Sequence, residues 1–273
     1  MFRSKARLIN FSIVTLMSVL LWVTITSSYI ALNIHQYLSG WLLLFVITIL
    51  LSYNLKKKLS MINIGSNNVW LQFHIYIGLL AGLLFFLHVD WKLPTGWIES
   101  LLYFMFIGIS ISGLLGLYLN KNIPKRLTRR GEEVIFERIP VFATQLREEA
   151  EKIAIEASGN TSSSSIPDFY INNLADFFSK PRFLFNHLFQ SHIRLINLLE
   201  ELEELQRYLD EKEKEYAHQL IQLVKQKDYL DYHYTLQFTL KGWLFLHIPL
   251  AYGLVIFLCL HITLVYAFHS TIQ

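Results

Sequence analysis

Two apolar stretches of this chain are long enough to cross a hydrocarbon core, and each carries a pair of histidines with the same internal spacing. His74 and His88, like His247 and His261, are fourteen residues apart. An ionisable side chain inside such a stretch is costly unless something binds it, so two matched pairs restrict the fold severely. At a rise of ~1.5 Å per residue, the members of a pair lie roughly 21 Å apart on nearly the same helix face. The spacing is also two heptads, so in a left-handed bundle of about 3.5 residues per turn both histidines stay in one inter-helix seam. One helix then presents a ligand near each side of a bilayer, and a second with the same spacing can supply the opposite ligands.

Apolar runs at about 8–32, 38–55, 70–90, 98–119 and 242–268 each reach the ~20 residues that a core of about 30 Å demands. They predict an all-α membrane protein with five transmembrane helices. The 273-residue chain is 53% hydrophobic and only 16% charged, which agrees. The first run follows Arg3, Lys5 and Arg7 but exceeds the usual signal-peptide apolar core of about 7 to 15 residues. It is expected to remain as an anchor over 1–36.

With five spans, Arg3, Lys5, Arg7, Lys56, Lys57, Lys58, Lys121, Lys125, Arg126, Arg129 and Arg130 all fall on one side, which should be the cytoplasm. The opposite loops, 35–40 and 90–97, are short, and Trp41, Trp91 and Trp97 mark them as an aromatic belt would. The expected setting is the plasma (inner) membrane, with the amino terminus in the cytoplasm and the carboxyl terminus outside. Helices three and five then run parallel, which sets His74 level with His247 near the inner face and His88 level with His261 near the outer face.

Two neutral imidazoles facing each other across a porphyrin make a six-coordinate iron with no open position for substrate, a site suited to electron transfer. Zinc fits less well, because no thiolate, H-E-x-x-H or intramembrane carboxylate accompanies the histidines. The two segments, "FHIYIGLLAGLLFFLH" and "LHIPLAYGLVIFLCLH", resemble the four-helix dihaem core of membrane b-type cytochromes, as carried by quinol:cytochrome c reductases. More distantly the pattern is similar to ferric reductase and NADPH oxidase membrane domains. The resemblance covers about 38–120 and 242–268, roughly half of the chain. It implies that helices two to five form a bundle around two non-covalent haem b groups, with quinone as a further candidate cofactor.

Small residues line these helices, and Gly113 and Gly116 are candidate haem contacts beside direct helix packing. Pro249, two residues after His247, is expected to kink the last helix. Cys259 is the sole cysteine, so the chain has no C-x-x-C-H, iron–sulfur set or internal disulfide. With no G-x-G-x-x-G or phosphate loop either, electrons should come from quinol or from a separate redox subunit or soluble carrier.

The predicted organisation is an anchor (1–36), three bundle helices (37–120), a cytoplasmic helical insertion (121–241) and a final span (242–273). Within the insertion a helix is expected around 141–158, followed by a serine-rich linker through Ser165. A longer amphipathic helix is expected from about 181 to 229, with Leu188, Leu195, Leu199, Leu202, Leu205, Leu209, Leu220 and Val224 at three- and four-residue steps. The run "EELEELQRYLDEKEKE" reads as a solvated face, and His187, His192, His218 and His233 as surface or packing residues. Arg126, Arg129, Arg130 and Lys241 are candidates to pair with haem propionates. The small net charge of +3 gives no reason to expect nucleic acid.

The expected function is transmembrane electron transfer by a dihaem b-type cytochrome, as a subunit of a quinol- or cytochrome-linked oxidoreductase. A ferric-reductase-type protein fed by a separate flavoprotein, and a non-redox membrane scaffold, are the alternatives.

Overall fold

Helices make up the whole framework, with no strand among the described residues. The computed structural model describes residues 2–32, 35–58, 66–129, 134–161, 163–181, 184–189 and 191–269. In chain order the helices are α1 (Phe2–Leu32), α2 (His35–Lys58), α3 (Asn67–His88), α4 (Trp97–Arg129), α5 (Ile139–Asn160), α6 (Ser165–Phe169), α7 (Ala175–Ser179), α8 (Leu184–Leu188), α9 (Ile193–Gln206) and α10 (Glu211–His269). The chain divides into two units, 1–117 with 245–273, and 118–244, and α4 and α10 contribute to both.

In the first unit α1, α2 and α3 pack on one another. Its core joins Ile25 of α1, Val46 and Ile47 of α2 and Leu84 of α3 to Phe106 of α4 and Leu254 of α10. Phe85 is central, stacked on Phe106 with ring centroids 4.1 Å apart. Ala81 and Leu254 stand midway between the histidines of α3 and α10, and they are 2% and 6% exposed. The tightest packing is therefore halfway between the two histidine levels.

The outward side chains of the same helices are apolar: Phe104, Ile111, Leu114, Phe245 and Ile256 are all at least 60% exposed. Water would penalise such a surface heavily. Among the described residues three segments are long and apolar enough to cross a membrane, Asn68–His88, Trp97–Arg129 and Glu211–Phe268, while Ser12–Ser27 and Tyr37–Tyr53 are shorter apolar segments within α1 and α2. After α3 the chain turns through two left-handed residues, Asp90 (φ 53°) and Trp91 (φ 56°). A bulky side chain rarely adopts this conformation. Here the Trp91 N–H donates to the Phe86 carbonyl at 3.2 Å and its ring stacks on Phe86 at 4.8 Å.

The second unit has its own core. α5 buries Leu146, Ala150, Ile153, Ala154 and Ala157 at helical spacing, against Leu198 and Leu202 of α9 and Leu220 and Val224 of α10. The helix expected over 141–158 is α5, and the serine-rich linker ends where α6 begins at Ser165. The single helix expected from 181 to 229 is instead three helices, with non-helical residues at Phe189, 191–192 and 207–210. Asp210 explains the break at 207–210. It opens α10 with a reciprocal capping box, its carboxylate accepting from the Glu213 N–H at 2.8 Å and its own N–H donating to Glu213 Oε2 at 3.1 Å. The leucine periodicity hides this turn because Leu202, Leu205 and Leu209 all face one core. The sequence boundaries read at 120/121 and 241/242 fall inside α4 and α10, which continue through them as helices.

The insertion also buries charge. Lys227 Nζ lies 2.7 Å from both carboxylate oxygens of Asp231, donates to the Lys180 carbonyl at 3.2 Å, and sits 5.2 Å from the Phe177 ring centroid. The two side chains are 1% and 3% exposed, so removing either alone strands a charge in a dry interior. Asp231→Ala should cost about 3 to 5 kcal/mol, whereas the apolar pair Lys227→Met with Asp231→Leu should cost far less. Thermal unfolding of the detergent-purified chain checks this: the single variant should melt well below the double one.

Candidate functional site

Of the four histidines on the long apolar helices, two are gripped in the same way by two different helices. His88, the last residue of α3, has its Nδ1 3.2 Å from Ser39 Oγ of α2. His247 of α10 has its Nδ1 3.0 Å from Ser112 Oγ of α4. In each case the residue after the serine is glycine, and the imidazole lies over it. A Cβ at Gly40 would sit 3.0 Å from His88 Cε1, and one at Gly113 would sit 4.0 Å from His247 Cε1. The sequence elements are Leu38-Ser39-Gly40 and Ile111-Ser112-Gly113. The hydroxyl fixes one ring nitrogen while the missing side chain lets the ring lie against the neighbouring helix.

The other histidine of α3 also faces α2: the His74 and Tyr53 rings lie 5.1 Å apart between centroids, inclined by 37°. Ser39 and Tyr53 are fourteen residues apart, as are His88 and His74, so antiparallel α2 and α3 meet at both histidine levels with one period. His261 stands on α10 five residues before Tyr266, whose hydroxyl accepts from Trp41 Nε1 of α2 at 3.1 Å. All four imidazoles are half-buried, unlike the packed midpoint between them.

Space beside the histidines follows the glycines. Gly78 lies one turn beyond His74 on the same face, and a Cβ there would meet no atom within 4 Å. Gly253 is different, since a Cβ there would come within 2.9 Å of Met105 Cε, so this glycine lets α4 and α10 approach. Gly113 stands against His247, as described above, and Gly116 is buried one turn farther along α4.

The basic candidates belong to the second unit, where each has other partners. The Arg126 guanidinium donates to the carbonyls of Leu188 and His187 and lies 5.7 Å from the Tyr232 ring centroid. Lys241 Nζ donates to Glu137 Oε1 at 2.6 Å over the Phe136 ring, and that hydrogen bond holds the exposed Glu137 carboxyl below its ordinary value. Arg129 is exposed, and Arg130 lies outside the described residues. His187 and His233 are buried, at 3% and 0% exposure, while His192 and His218 are exposed. Among the described residues no three His, Cys, Asp or Glu side chains converge as a set of metal ligands.

Sequence reasoning missed Ser39 and Tyr53 altogether, and treated Ser112 only as a small residue. The readable signal was the Ser-Gly pair repeated on the two helices that flank the histidine helices.

A helical Gly→Ala change ordinarily stabilises by roughly 0.5–1 kcal/mol, so a loss must come from the new contact. Gly40→Ala should lower the Tm of the purified chain by several degrees as Cβ drives into His88, while Gly113→Ala should leave it unchanged or raise it. Equal behaviour of the two variants would contradict the difference in ring contact. Comparison with protein-family models, with curated proteins and with solved structures returns no match to this chain.

Proposed function

We propose that this chain is a dihaem b-type cytochrome that carries electrons across a membrane, with five spans and helices α2, α3, α4 and α10 around the haems. The observation that carries the reading is the pair of Ser-Gly elements, which engage one histidine from each matched pair through Nδ1. A hydrogen bond at Nδ1 sets the tautomer and orientation of an imidazole that ligates through Nε2. The half-burial of all four rings and the room over Gly78 suit a flat macrocycle at each histidine level. The buried midpoint of Ala81 and Leu254 would separate the two groups.

His74 with His247 would hold the inner haem and His88 with His261 the outer one. Two imidazoles per iron suffice, because the porphyrin supplies the remaining four ligands, so a cluster of three protein ligands is not required. The haem supplies a one-electron iron couple when bound. The protein's part is to hold the imidazoles in opposed pairs, exclude water through its apolar walls, and set basicity through Ser39 and Ser112. Gly113 and Gly116 remain candidates for haem contact. Arg126 and Lys241 are left out, since their partners in the second unit already occupy them. The basic residues argue for a cytoplasmic amino terminus and insertion and an outside carboxyl terminus, and the lack of a G-x-G-x-x-G or phosphate loop in the chain argues for service within a quinol- or cytochrome-linked oxidoreductase.

A pyridine haemochrome assay on the detergent-purified chain should return about two haem b groups per chain, and fewer in His74→Ala or His261→Ala. No haem despite adequate supply would sink the proposal and favour a membrane scaffold. Nδ1–H donation to a serine increases electron donation to ferric iron, so Ser39→Ala and Ser112→Ala should each raise the midpoint potential of one haem. If a typical net hydrogen bond is lost, the rise is about 20 to 60 mV. A redox titration in which the two variants move the same haem, or neither, would contradict the assigned roles.

A further inference from the structure

The segment from α8 into α9 is apolar on the side turned away from its own core. Phe185 and Phe189 are each 77% exposed, Ile193 is 64% and Ile196 48%. They are paired by helical spacing: the Phe189 N–H donates to the Phe185 carbonyl at 3.0 Å, and Ile193 and Ile196 share the first turn of α9. The opposite side is fully used. Leu188 packs on the cluster of Leu119, Ile123, Tyr232 and Leu236, while Leu195, Leu198, Leu199 and Leu202 face the core of the second unit. Thus α9 begins with apolar residues on both sides, and internal packing accounts for only one.

Charge identifies what meets the other side. From residue 177 to 199 there is no Asp or Glu, whereas Lys180, Arg182 and Arg194 are present. Lys180 and Arg194 are exposed, and Lys180 lies 3.4 Å from the Asp176 carboxylate that precedes this stretch. Immediately beyond, residues 200–215 carry eight acidic side chains, so the cationic character stops where the exposed apolar residues stop. Exposed phenylalanines and isoleucines beside Arg194, in a stretch with no carboxylate of its own, match an anionic lipid surface, where headgroup attraction and burial of the rings act together. The position of the segment agrees. The cluster that receives Leu188 is built from Leu119 and Ile123, at the end of the apolar stretch of α4 in sequence, and from Leu236, Leu240 and Trp243, at the start of that of α10. Arg126 ties α8 to this same end through the carbonyls of His187 and Leu188.

We propose that Phe185, Phe189, Ile193 and Ile196, with Lys180 and Arg194, form an interfacial contact that seats the insertion on the anionic leaflet of the membrane crossed by α4 and α10. This rests on the membrane reading of the chain, not on the haem reading. The contact would restrain the insertion without adding a span.

The test uses the full chain, with its single cysteine removed by Cys259→Ser, in vesicles of phosphatidylcholine mixed with phosphatidylglycerol. Nitroxide labels at Phe185→Cys, Phe189→Cys, Phe104→Cys and Tyr208→Cys are read by spin-label accessibility to oxygen and to a water-soluble nickel chelate. Labels at 185 and 189 should favour oxygen severalfold over the Tyr208 label, approaching the Phe104 label. That preference should weaken in Arg194→Glu or in phosphatidylcholine alone. Labels at 185 and 189 as nickel-accessible as the one at Tyr208, or shielded from both reagents by a protein contact such as a second copy, would overturn the proposal. A nickel-accessible Phe104 label would instead remove the membrane reading and this inference with it, and because this readout does not involve haem, failure of the haem reading registers separately.

Discussion

The decisive constraint is the cost of holding four imidazoles inside helices that are otherwise apolar. A histidine in hydrocarbon needs a hydrogen-bonding or ligating partner, and for His88 and His247 the fold meets that need through the helices beside α3 and α10. Ser39 and Ser112 each reach an Nδ1, and the glycine that follows each serine allows the ring to approach. Once those contacts are fixed, the register of α2 against α3 and of α4 against α10 is fixed too. Tyr53 then falls against His74 without a separate device. Ala81 and Leu254, halfway between the histidine levels, are buried because the fourteen-residue period leaves that length of helix for apolar packing, and the buried core runs on from there through Phe85 and Phe106.

The second unit solves a different problem. Its helices are short, and the breaks between them are set by local chemistry such as the Asp210–Glu213 capping box. It also contains a buried Lys227–Asp231 pair, one turn apart on α10. Such a pair adds little net stability compared with apolar residues of similar volume; lying on one helix the two stay together in any register, and the rest of the unit adds the Lys180 carbonyl and the Phe177 ring around the ammonium. α10 itself carries Lys227–Asp231 and His247 on one continuous helix, and Pro249, expected to kink it, lies within that helix.

The all-helical architecture was legible because apolar runs near 20 residues and the three- and four-residue steps in the insertion leave few other options. α5 was legible for the same reason, with Ala150, Ala154 and Ala157 at helical spacing beside Leu146 and Ile153. The break at 207–210 was not, because leucines on both sides of it serve one core and continue the periodicity, and the local D-x-x-E signal is weaker than that pattern. The buried Lys227–Asp231 pair was equally hidden, since a helix that is polar at i and i+4 ordinarily shows that face to water. At the site the four histidines were legible from spacing alone. Ser39, Gly40 and Tyr53 were not, because their importance lies in which helix they face, and one sequence does not specify which helices are neighbours.

In the proposed cytochrome the histidines act as two levels, each made of one residue from α3 and one from α10. A potentiometric titration of the wild-type chain and of the four single histidine-to-alanine variants addresses it directly. The variants should fall into two pairs, His74→Ala and His247→Ala losing one redox component and His88→Ala and His261→Ala losing the other. Crossed pairing would contradict the parallel arrangement of α3 and α10, and four variants with the same titration as the wild type would contradict ligation by these histidines altogether.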